Sequence, residues 1–572
     1  MQSGAGSMDD DLRRADECLA RGDVDSAEVL CRRILAKSTP TPAAHVLLGR
    51  TLHAKGQSDL AQAEFNAAIQ LDPKYADGWL QWAMLLQALG HPQKSAECLL
   101  LGLNYAPASH PLHSTLVPVL LQLEKPEEAL HHARRATENA PQIAAVWLNL
   151  GIVAGRQARA VEAAAALRQA LSLDPTLAEA HNHLGEILAA TDPAAAIDAF
   201  AAALSHRPGY AEALDNLGAI HVVKGDLAIA LEKFDQALAV KPKLLSALGH
   251  KTTALFLMGN LPEAWHHYRR RFEVEGLKLD PHGRFPQPVW HGEPLAGKGL
   301  LVWTELGLGE EIMQASMLPD VLDIVARLTV ECSPRLEALF RRSFPAATII
   351  PRTNPTRACA IPIDADFQIA GGDLGRLVRD AWRKFPKHSG YLKADADRTA
   401  QLRTKYKSGR EPFLVGLSWA SKQSRFDAIK SLALIEFAPI LALKGAVFIN
   451  LQYAADAQEI SAVSKALGIE IITDDTIDPR GDMDGVAAQI AAMDLVICVS
   501  NTAAHVAGAL NVPVWNIIPG HNASGMWHWF QGTDESPWYP SMKIYRRTEE
   551  TNEAIMSGLS RDLQAAQALH RV

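Results

Sequence analysis

The chain has 572 residues, of which 48% are hydrophobic and 21% charged, and its formal net charge at pH 7 is −8. This length corresponds to roughly three or four domains and excludes a single hydrophobic core. The acidic balance does not fit a protein that binds nucleic acid or an anionic membrane through a basic surface.

The cysteines and the N-terminal residues indicate in which compartment of the cell the protein is expected. The six cysteines are scattered without a C-x-x-C pair, which argues against a disulfide framework and against a zinc site. The N-terminus is polar and acidic where a signal peptide would be basic and then apolar, and no run reaches the roughly 18 apolar residues of a membrane span. We expect a cytoplasmic protein without a membrane span.

A short sequence pattern that ends in proline recurs through the N-terminal half. Its prolines follow one another at steps of 34, 34, 34, 33 and 34 residues, at Pro73, Pro107, Pro141, Pro175, Pro208 and Pro242. This period is typical of tetratricopeptide (TPR) helix pairs, in which the proline ends the second helix of each pair. We predict an α-solenoid over residues 9–275, a TPR superhelix with a concave inner surface.

Concave solenoid surfaces usually bind a segment of another protein, although such an array can also serve as a rigid spacer or a dimerisation arm. Asn149, Asn182 and Asn216 recur at steps of 33 and 34 residues, so that they would form a ladder along the groove. Their amides donate and accept hydrogen bonds, as a peptide backbone requires. We expect these three residues to contact a protein acceptor, and the histidines of the array to be core or surface residues rather than metal ligands.

A proline-rich linker, residues 276–298, precedes an alternation of strands and helices that predicts a first parallel α/β lobe over residues 299–409. Its first strand runs into Gly307-Leu308-Gly309, a turn expected to line a ligand site, and into the adjacent acids Glu310 and Glu311. A carboxylate at the carboxyl end of a strand is well placed to act as a general base. Alternatively, both acids only stabilise the positive helix N-terminus.

Residues 410–572 are predicted to form a second lobe and a C-terminal helix. The first strand of this lobe ends at Ser418, and the following loop carries Lys422 and Lys430, which can meet phosphate charge unless the loop is an ordinary solvated one. The next strand ends at Gln452 and Tyr453, an amide and an aromatic ring suited to a nucleobase.

The stretch Asp494–Pro519 has the pattern of strand, turn, helix and strand. Ser500, Asn501 and Thr502 occupy the turn after the first strand, where open α/β sheets bind ligands. A helix N-terminus offers unpaired N–H groups and about half a positive charge, so this turn is either a phosphate cradle or an ordinary helix cap. His505, one turn into the helix, either reaches the same ligand or packs in the core.

Asp482-Met483-Asp484 has the spacing of a D-x-D metal motif. Asp482 immediately precedes an alanine-rich helix and is better explained as its N-cap, with Asp484 near the positive end of the helix. Lysines and helix amides can neutralise a diphosphate in place of a metal ion. We therefore expect neither a metal nor a cofactor.

Several motifs of the C-terminal half together resemble those of a known group of enzymes. They are GLGEEI at 307–312, GLSW at 416–419, NLQY at 450–453, SNTAAHVAGAL at 500–510 and SPWYP at 536–540. They resemble bacterial tetratricopeptide glycosyltransferases, which relate to the heptosyltransferase-like group of two-lobed GT-B enzymes. The order of array and lobes is similar to that of the protein O-linked N-acetylglucosamine transferases and, more closely, of the bacterial flagellin glycosyltransferases.

The resemblance implies two Rossmann-like lobes and an inverting, metal-independent protein O-glycosyltransferase. Glu310 falls where the heptosyltransferase turn has an Asp base, with Glu311 as its competitor, and the D-T-G-x-x-H turn of that group falls on Ser500 to His505, with departures at the first three positions. The implied donor is a nucleotide sugar, for example a nonulosonic acid on cytidine monophosphate. The implied acceptor is a protein Ser or Thr held in the TPR groove, with flagellin as the first candidate. A glycolipid-modifying transferase and a non-catalytic scaffold are the alternatives.

Overall fold

The computed structural model describes residues 5–37, 40–273, 285–305, 307–352, 363–421, 430–520, 526–547 and 552–570. The chain divides into two compact units, residues 1–216 and 217–572. The first unit is helical, and the second carries two parallel β-sheets. This is the predicted fold class, a TPR-type helical array followed by an α/β region.

The first unit consists of consecutive helix pairs. Its helices are α1 (Ala5–Ala20), α2 (Val24–Lys37), α3 (Pro42–Ala54), α4 (Ser58–Leu71), α5 (Ala76–Ala88), α6 (Pro92–Tyr105), α7 (His110–Gln122), α8 (Pro126–Asn139), α9 (Ala144–Arg156), α10 (Ala160–Leu173), α11 (Ala178–Leu188) and α12 (Pro193–His206). From α4 onward, each second helix ends two residues before a repeat proline, as the sequence pattern predicts.

Glycines in the first helix of a pair set the distance to the second helix. A Cβ atom at Gly49 would lie 2.5 Å from the ring of Phe65, and one at Gly151 would lie 2.5 Å from the side chain of Leu167. Real Cβ atoms do not approach other atoms so closely. The alternation of large and small residues in the repeat therefore reflects close packing within each helix pair.

A recurring hydrogen bond accounts for two of the histidines. In four repeats the side chain six residues after the proline donates to the carbonyl of that proline over 2.8 to 3.0 Å, from Trp79, His113, Trp147 and His181 to Pro73, Pro107, Pro141 and Pro175. Because His113 and His181 occupy the same repeat position as two tryptophans, their role is structural. For His113 this agrees with the expectation of a core residue.

The last helices of the repeat pattern belong to the second unit. Helix α13 (Ala211–Lys224) spans the division at residue 216, and α14 (Leu227–Val240), α15 (Leu245–Leu257) and α16 (Leu261–Tyr268) follow it. Phe256 of α15 stacks on Trp527 with ring centroids 4.0 Å apart, and Trp265 of α16 donates to the carbonyl of Arg379 at 2.9 Å. The repeat pattern therefore extends into the second compact unit, which contains α14, α15, α16 and the sheets.

Both sheets are parallel throughout their pairings. The first has the order β3-β2-β1-β4 and the second β10-β9-β8-β5-β6-β7. The strands are β1 (Gly299–Trp303), β2 (Arg327–Cys332), β3 (Ala347–Pro351), β4 (Phe367–Ala370), β5 (Phe413–Ser418), β6 (Ala446–Asn450), β7 (Ile471–Ile472), β8 (Leu495–Val499), β9 (Val514–Pro519) and β10 (Met542–Arg547). The sequence patterns predict all of these strands except β10.

Short helices connect the strands. They are α17 (Leu308–Ala315), α18 (Leu318–Leu322), α19 (Glu337–Ser343), α20 (Gly375–Val378), α21 (Ala396–Lys407), α22 (Ala438–Leu441), α23 (Ala457–Leu467), α24 (Met483–Ala491) and α25 (Thr502–Ala509), and α26 (Asn552–His570) closes the chain. Among all helices in the ranges given above, none combines the length and the apolar character that crossing a bilayer requires.

Candidate functional site

A cavity of about 650 Å³ lies at the carboxyl ends of the two sheets. Residues that follow β1, β2 and β3 line it from the first sheet, and residues that follow β5, β6 and β8 line it from the second. The strand order of each sheet reverses beside its first strand, between β1 and β4 and between β5 and β8. Open α/β sheets bind ligands at such switch points, so the cavity is the candidate site.

The structure gathers most of the predicted site residues around this cavity. The lining includes Gly307, Gly309, Glu310, Glu311, Ser418, Lys430, Tyr453, Ser500, Asn501, Thr502 and His505. Gln452 is buried and bonded to Ser418, a lining residue, through its side chain. Lys422 lies outside the described residues. Residues almost two hundred positions apart in the chain therefore share one crevice.

The carboxylate of Glu311 stabilises the first lobe through hydrogen bonds and an ion pair. Its carboxylate is buried and accepts hydrogen bonds from the Thr304 hydroxyl at 2.9 Å and from the Ser333 backbone N–H at 2.8 Å. The guanidinium of Arg352 also pairs with it. These contacts join α17 to the ends of β1, β2 and β3, so that a proton transfer at Glu311 would disturb the framework of the lobe.

Glu310 has a different environment although it is the neighbouring residue. It is half-buried, in the first turn of α17, and lines the cavity. A Cβ atom at Gly307 would lie 2.9 Å from Glu310 Oε2, so the glycine leaves room for this carboxylate at the mouth of the turn. Of the two predicted acids, Glu310 is the one whose carboxylate is not built into the ion pair with Arg352.

The turn before α25 is fixed by hydrogen bonds of four of the predicted polar residues. Asn501 caps the helix, because its Oδ1 accepts from the Ala503 N–H at 3.0 Å, and its Nδ2 donates to Ser418 Oγ at 2.8 Å. Ser418 in turn donates to Gln452 Oε1 at 3.2 Å. These bonds tie the ends of β5, β6 and β8 together. Ser500 accepts from the indole N–H of Trp529 at 2.8 Å, which anchors the C-terminal aromatic segment to the same turn.

His505 lies between the two lobes. Its ring is buried and stacks on Trp529 at 5.1 Å between centroids, and its Nδ1 lies 2.8 Å from the Tyr539 hydroxyl oxygen. A Cβ atom at Gly309 would lie 2.8 Å from His505 Cδ2, so only glycine lets α17 approach the ring this closely. Burial, with Lys430 as the further cause, lowers the pKa of His505 to about 3. The imidazole is therefore neutral at physiological pH.

Among the lining residues that the sequence patterns did not single out are two arginines and a histidine, namely Arg335, Arg352 and His528. Arg335 follows β2 and donates to the carbonyl of Pro479 at 3.2 Å, while its Nε is buried without a partner among the described residues. Arg352 follows β3 directly. The rule that ligands bind at strand carboxyl ends would have found both arginines. His528 lies in an irregular aromatic segment that carries no periodic signal.

Apolar side chains also line the cavity, among them Leu451, Pro479 and Val486. Tyr453 lines it as well, and the guanidinium of Arg480 lies 5.1 Å from the centroid of the Tyr453 ring. An aromatic ring beside aliphatic side chains suits a planar heterocycle.

Both carboxylates of the D-x-D segment already form hydrogen bonds and ion pairs with other residues. Asp482 caps α24, accepting from the Gly485 N–H at 2.7 Å, and also pairs with Arg398 at 2.6 Å. Asp484 pairs with both terminal nitrogens of Arg342, at 2.6 and 2.7 Å. The predicted N-cap role of Asp482 is confirmed. Within the part of the chain that the structure describes, no three His, Cys, Asp or Glu residues are grouped to hold a metal ion.

The asparagine ladder of the array forms between two of its three members. Asn216 donates to Asn182 Oδ1 at 3.1 Å, and both side chains donate to Glu186 Oε1 at 2.9 Å. Asn182 is buried, whereas Asn149 and Asn216 are half-buried. The amides of Asn182 and Asn216 both make hydrogen bonds inside the array, and contact of the ladder with an acceptor stays a prediction.

The repeats and the full chain both match known proteins. Tetratricopeptide repeat profiles match residues 42–75, 115–178 and 186–243. The chain is 34% identical over 108 residues to the Protein CTR9 homolog of Arabidopsis thaliana, which covers 16% of this chain and 10% of that protein. The crystal structure of YrrB, a TPR protein with an unusual peptide-binding site, is 24% identical, covers 32% of this chain and 95% of its own, and gives a TM-score of 0.28.

One similarity spans both the repeats and the sheets. The chain is 30% identical over 555 residues to Protein FlbA of Caulobacter vibrioides, and the match covers 92% of this chain and 91% of that protein. Because the match includes the TPR array and the α/β region with its cavity, the likeness is not confined to a common repeat. The chain belongs to the family of Protein FlbA.

Proposed function

We propose that the chain is a GT-B protein O-glycosyltransferase that transfers a sugar from a nucleotide-activated donor to a Ser or Thr hydroxyl of a protein. The observation that carries this proposal is one cavity lined by Glu310 of the first lobe and by His505 and the α25 N-terminus of the second. Two facing α/β lobes with their strand ends at one crevice suit a ligand that spans both, as a nucleotide sugar does.

The charges around the cavity support an anionic donor. Arg352 is paired with Glu311, and among the described residues the further charged side chains of the lining are those of Lys430, Arg335 and Glu310. The N–H groups at the start of α25 add partial positive charge, worth roughly 0.3–1 kcal/mol toward an anion and up to about 2 kcal/mol when partly buried. Thr502 and Lys430 are the proposed phosphate contacts, and the proposal requires no metal or cofactor.

Glu310 is the proposed general base. Its carboxylate takes the proton of the acceptor hydroxyl while that oxygen forms a bond to the anomeric carbon of the sugar. The bond from the anomeric carbon to the phosphate oxygen breaks, and its electron pair leaves with the nucleotide phosphate. Attack on the face opposite the leaving group gives inversion. Glu311 is the less suitable base because Thr304, Ser333 and Arg352 already use its carboxylate.

The donor and the acceptor are assigned by class. Tyr453 is the proposed contact of the nucleobase, and Gly307 and Gly309, which line the cavity at the start of α17, are the proposed backbone contacts of the donor. A nonulosonic acid on cytidine monophosphate would place one phosphate at the α25 turn. The TPR array is the proposed acceptor site, with Asn149 and Asn216 on its contact surface, and flagellin is the first acceptor to test.

The decisive experiment compares Glu310→Gln with Glu311→Gln. We expect Glu310→Gln to lower kcat by about 10²–10⁴-fold with unchanged affinity for CMP and UDP, because only proton removal is lost. Glu311→Gln should instead lower the free energy of unfolding by about 1–3 kcal/mol, because Arg352 loses its partner. Intact mass of flagellin after incubation with a nucleotide-sugar extract measures transfer, and calorimetry measures nucleotide binding.

The outcomes separate the alternatives. Full transfer by Glu310→Gln removes the proposed base. Sugar that appears on lipid and not on protein supports the glycolipid alternative. A wild-type chain that binds flagellin but binds neither CMP nor UDP supports a non-catalytic scaffold.

A further inference from the structure

A second cavity, of about 400 Å³, lies beside α15, the first helix of the last pair in the repeat pattern. Leu245, Leu248 and Gly249 of α15, Tyr268 of α16 and Trp527 are among the residues that line it. We call this cavity the α15 pocket. Its volume is within the range of about 300–1,000 Å³ that is usual for ligand pockets.

The polar side chains of the α15 pocket leave room for an apolar ligand, because most of them already have partners. Arg271 pairs with the buried carboxylates of Glu305 and Asp373, the latter at 2.6 Å. The Thr253 hydroxyl donates to the Gly249 carbonyl at 3.0 Å. A ligand that enters the pocket therefore meets leucine and aromatic side chains and does not have to replace a partner of Arg271 or Thr253.

His267 supplies one polar atom of the lining that awaits a partner. Its Nδ1 is buried and has no hydrogen-bond partner among the described residues. Burial, with Lys251 as the next cause, lowers the pKa of His267, so the ring is neutral at pH 7. A peptide group carries both a donor and an acceptor, and it can satisfy this nitrogen in either tautomer.

The α15 pocket adjoins the cavity of the candidate site through two chain segments. Trp527 lines the pocket and the next residue, His528, lines the cavity, and consecutive Cα atoms are about 3.8 Å apart. Arg271 of the pocket pairs with Glu305, which lies two residues before Gly307 of the cavity. A polypeptide with one residue in the cavity therefore has its neighbouring residues within reach of the pocket.

The pocket also uses the face of the repeat on which the asparagine ladder lies. Gly249 and Thr253 follow their repeat proline by seven and eleven residues, as Asn182 and Glu186 do in an earlier repeat. Asn182 belongs to the ladder and donates to Glu186 at 2.9 Å. Equivalent repeat positions face the same side of a solenoid, so the pocket continues the proposed acceptor surface.

We propose that the α15 pocket binds an apolar side chain of the protein acceptor, a few residues from the hydroxyl that receives the sugar. This assignment rests on the proposed function and adds a sequence requirement to it. The pocket selects a Ser or Thr that has a large apolar neighbour, and the neighbouring peptide group bonds to His267.

Gly249 allows the pocket to be filled without disturbing the fold. It lies inside α15, and no atom of the described residues is within 4 Å of a Cβ atom built on it. Gly249→Leu therefore places a side chain in the pocket, and leucine favours a helix more than glycine does. Gly558→Leu is the matched control, because Gly558 lies inside α26 with equally free space and does not line the pocket.

The first test measures binding without transfer. By calorimetry on the full chain, Gly249→Leu should weaken binding of flagellin about tenfold or more, the value of burying one large apolar side chain. Affinity for CMP and UDP should stay within about twofold, and Gly558→Leu should change neither. Equal flagellin affinity in wild type and Gly249→Leu, or no flagellin binding by the wild type, overturns the pocket. Weakened binding in a chain that transfers no sugar keeps the pocket and rejects only the transfer.

The second test locates the side chain on the acceptor. Each large apolar residue within about four positions of a modified Ser or Thr of flagellin is changed to alanine. One of these changes should raise KM about tenfold with the wild-type chain, with kcat nearly unchanged, and should have little further effect with Gly249→Leu, because both changes remove one contact. Additive effects, or no change in KM for any alanine variant, would overturn the assignment.

Discussion

Adjacent residues of the same type have separate roles here because their partners differ. Glu310 and Glu311 are both in the first turn of α17, yet Glu311 is fully buried against Thr304, Ser333 and Arg352, while Glu310 is half-buried at the cavity. The helix rotates successive side chains by about 100°, so one carboxylate turns inward and the other toward the crevice. The sequence alone left these two residues equivalent.

A pair of histidines in the array predicts a pH dependence of stability. His113 and His132 lie with their Nδ1 atoms 2.9 Å apart. Burial lowers the pKa of both below the ordinary value near 6.5, that of His132 to about 4, with His113 and His131 as further causes. The unfolded chain therefore binds more protons below about pH 6.5, and the free energy of unfolding should fall as the pH drops from there to about 4.

Urea unfolding at pH 7.5 and at pH 4.5 measures this effect. Arg135, His131, Glu138 and Glu128 also act on the pair, so the comparison is made between variants. In His132→Gln, the difference between the free energies of unfolding at pH 7.5 and at pH 4.5 should be smaller than in the wild type. His91→Gln, a substitution of an exposed histidine, should retain the wild-type difference. Equal pH dependence in wild type and His132→Gln would show that the pair does not contribute.

At the scale of elements, α19 of the first lobe and α24 of the second are linked by a forked ion pair. Arg342 donates to both oxygens of Asp484, and the two side chains are 31% and 22% exposed. Solvent screening limits such a pair to about 1 kcal/mol. We expect a double-mutant cycle of Arg342→Gln and Asp484→Asn to give about that coupling energy in urea unfolding at low salt.

The same cycle at 1 M NaCl should give a smaller coupling, because the screening length falls to about 3 Å. Arg341 and Glu337 on α19 form the matched control, an exposed pair within one helix that links no second element. The coupling energy of this control pair should be about 0.3–0.5 kcal/mol at low salt. A coupling between Arg342 and Asp484 no larger than the control would mean that the lobes are not held by this pair.

At the scale of the whole molecule, the candidate site and the candidate acceptor surface fall in different compact units. All residues that line the cavity lie between 307 and 528, and the second unit begins at residue 217. Helices α15 and α16 must stay with the sheets, because Phe256 and Trp265 pack on Trp527. A useful truncation therefore ends before α13 and not at the proline-rich linker.

Removal of residues 1–209 should abolish sugar transfer to a protein acceptor and leave affinity for CMP and UDP unchanged. The reason is that, on the proposed function, the array supplies the binding surface for the polypeptide, while residues 1–209 contribute none of the cavity lining. Intact mass of flagellin and calorimetry are the measurements, with circular dichroism as the control for folding. Unchanged acceptor modification by the folded truncated chain would remove the array from the proposal.

The sequence by itself determined the features that local chemistry repeats. A proline every 33 or 34 residues ends each second helix. An apolar run of five residues makes a buried strand, and β8 (Leu495–Val499) is the first strand that the pattern of Asp494–Pro519 predicts. Parallel strands bring their carboxyl ends to one edge of the sheet, so the sequence pattern alone predicts that the Ser500 turn lies at a ligand site. Each of these patterns lies within a few residues of the helix end, strand or turn that it predicts.

Only the tertiary structure decided which side chains meet. Arg352 pairs with Glu311 across 41 positions of the chain, and Tyr539 reaches His505 across 34. The position of strand β10 in the sheet and the place of His528 in the cavity lining likewise depend on how distant segments pack. Hydrogen-bond partners and burial, which set the protonation and the tautomer of each group, are properties of that packing, and no local pattern in the sequence encodes them.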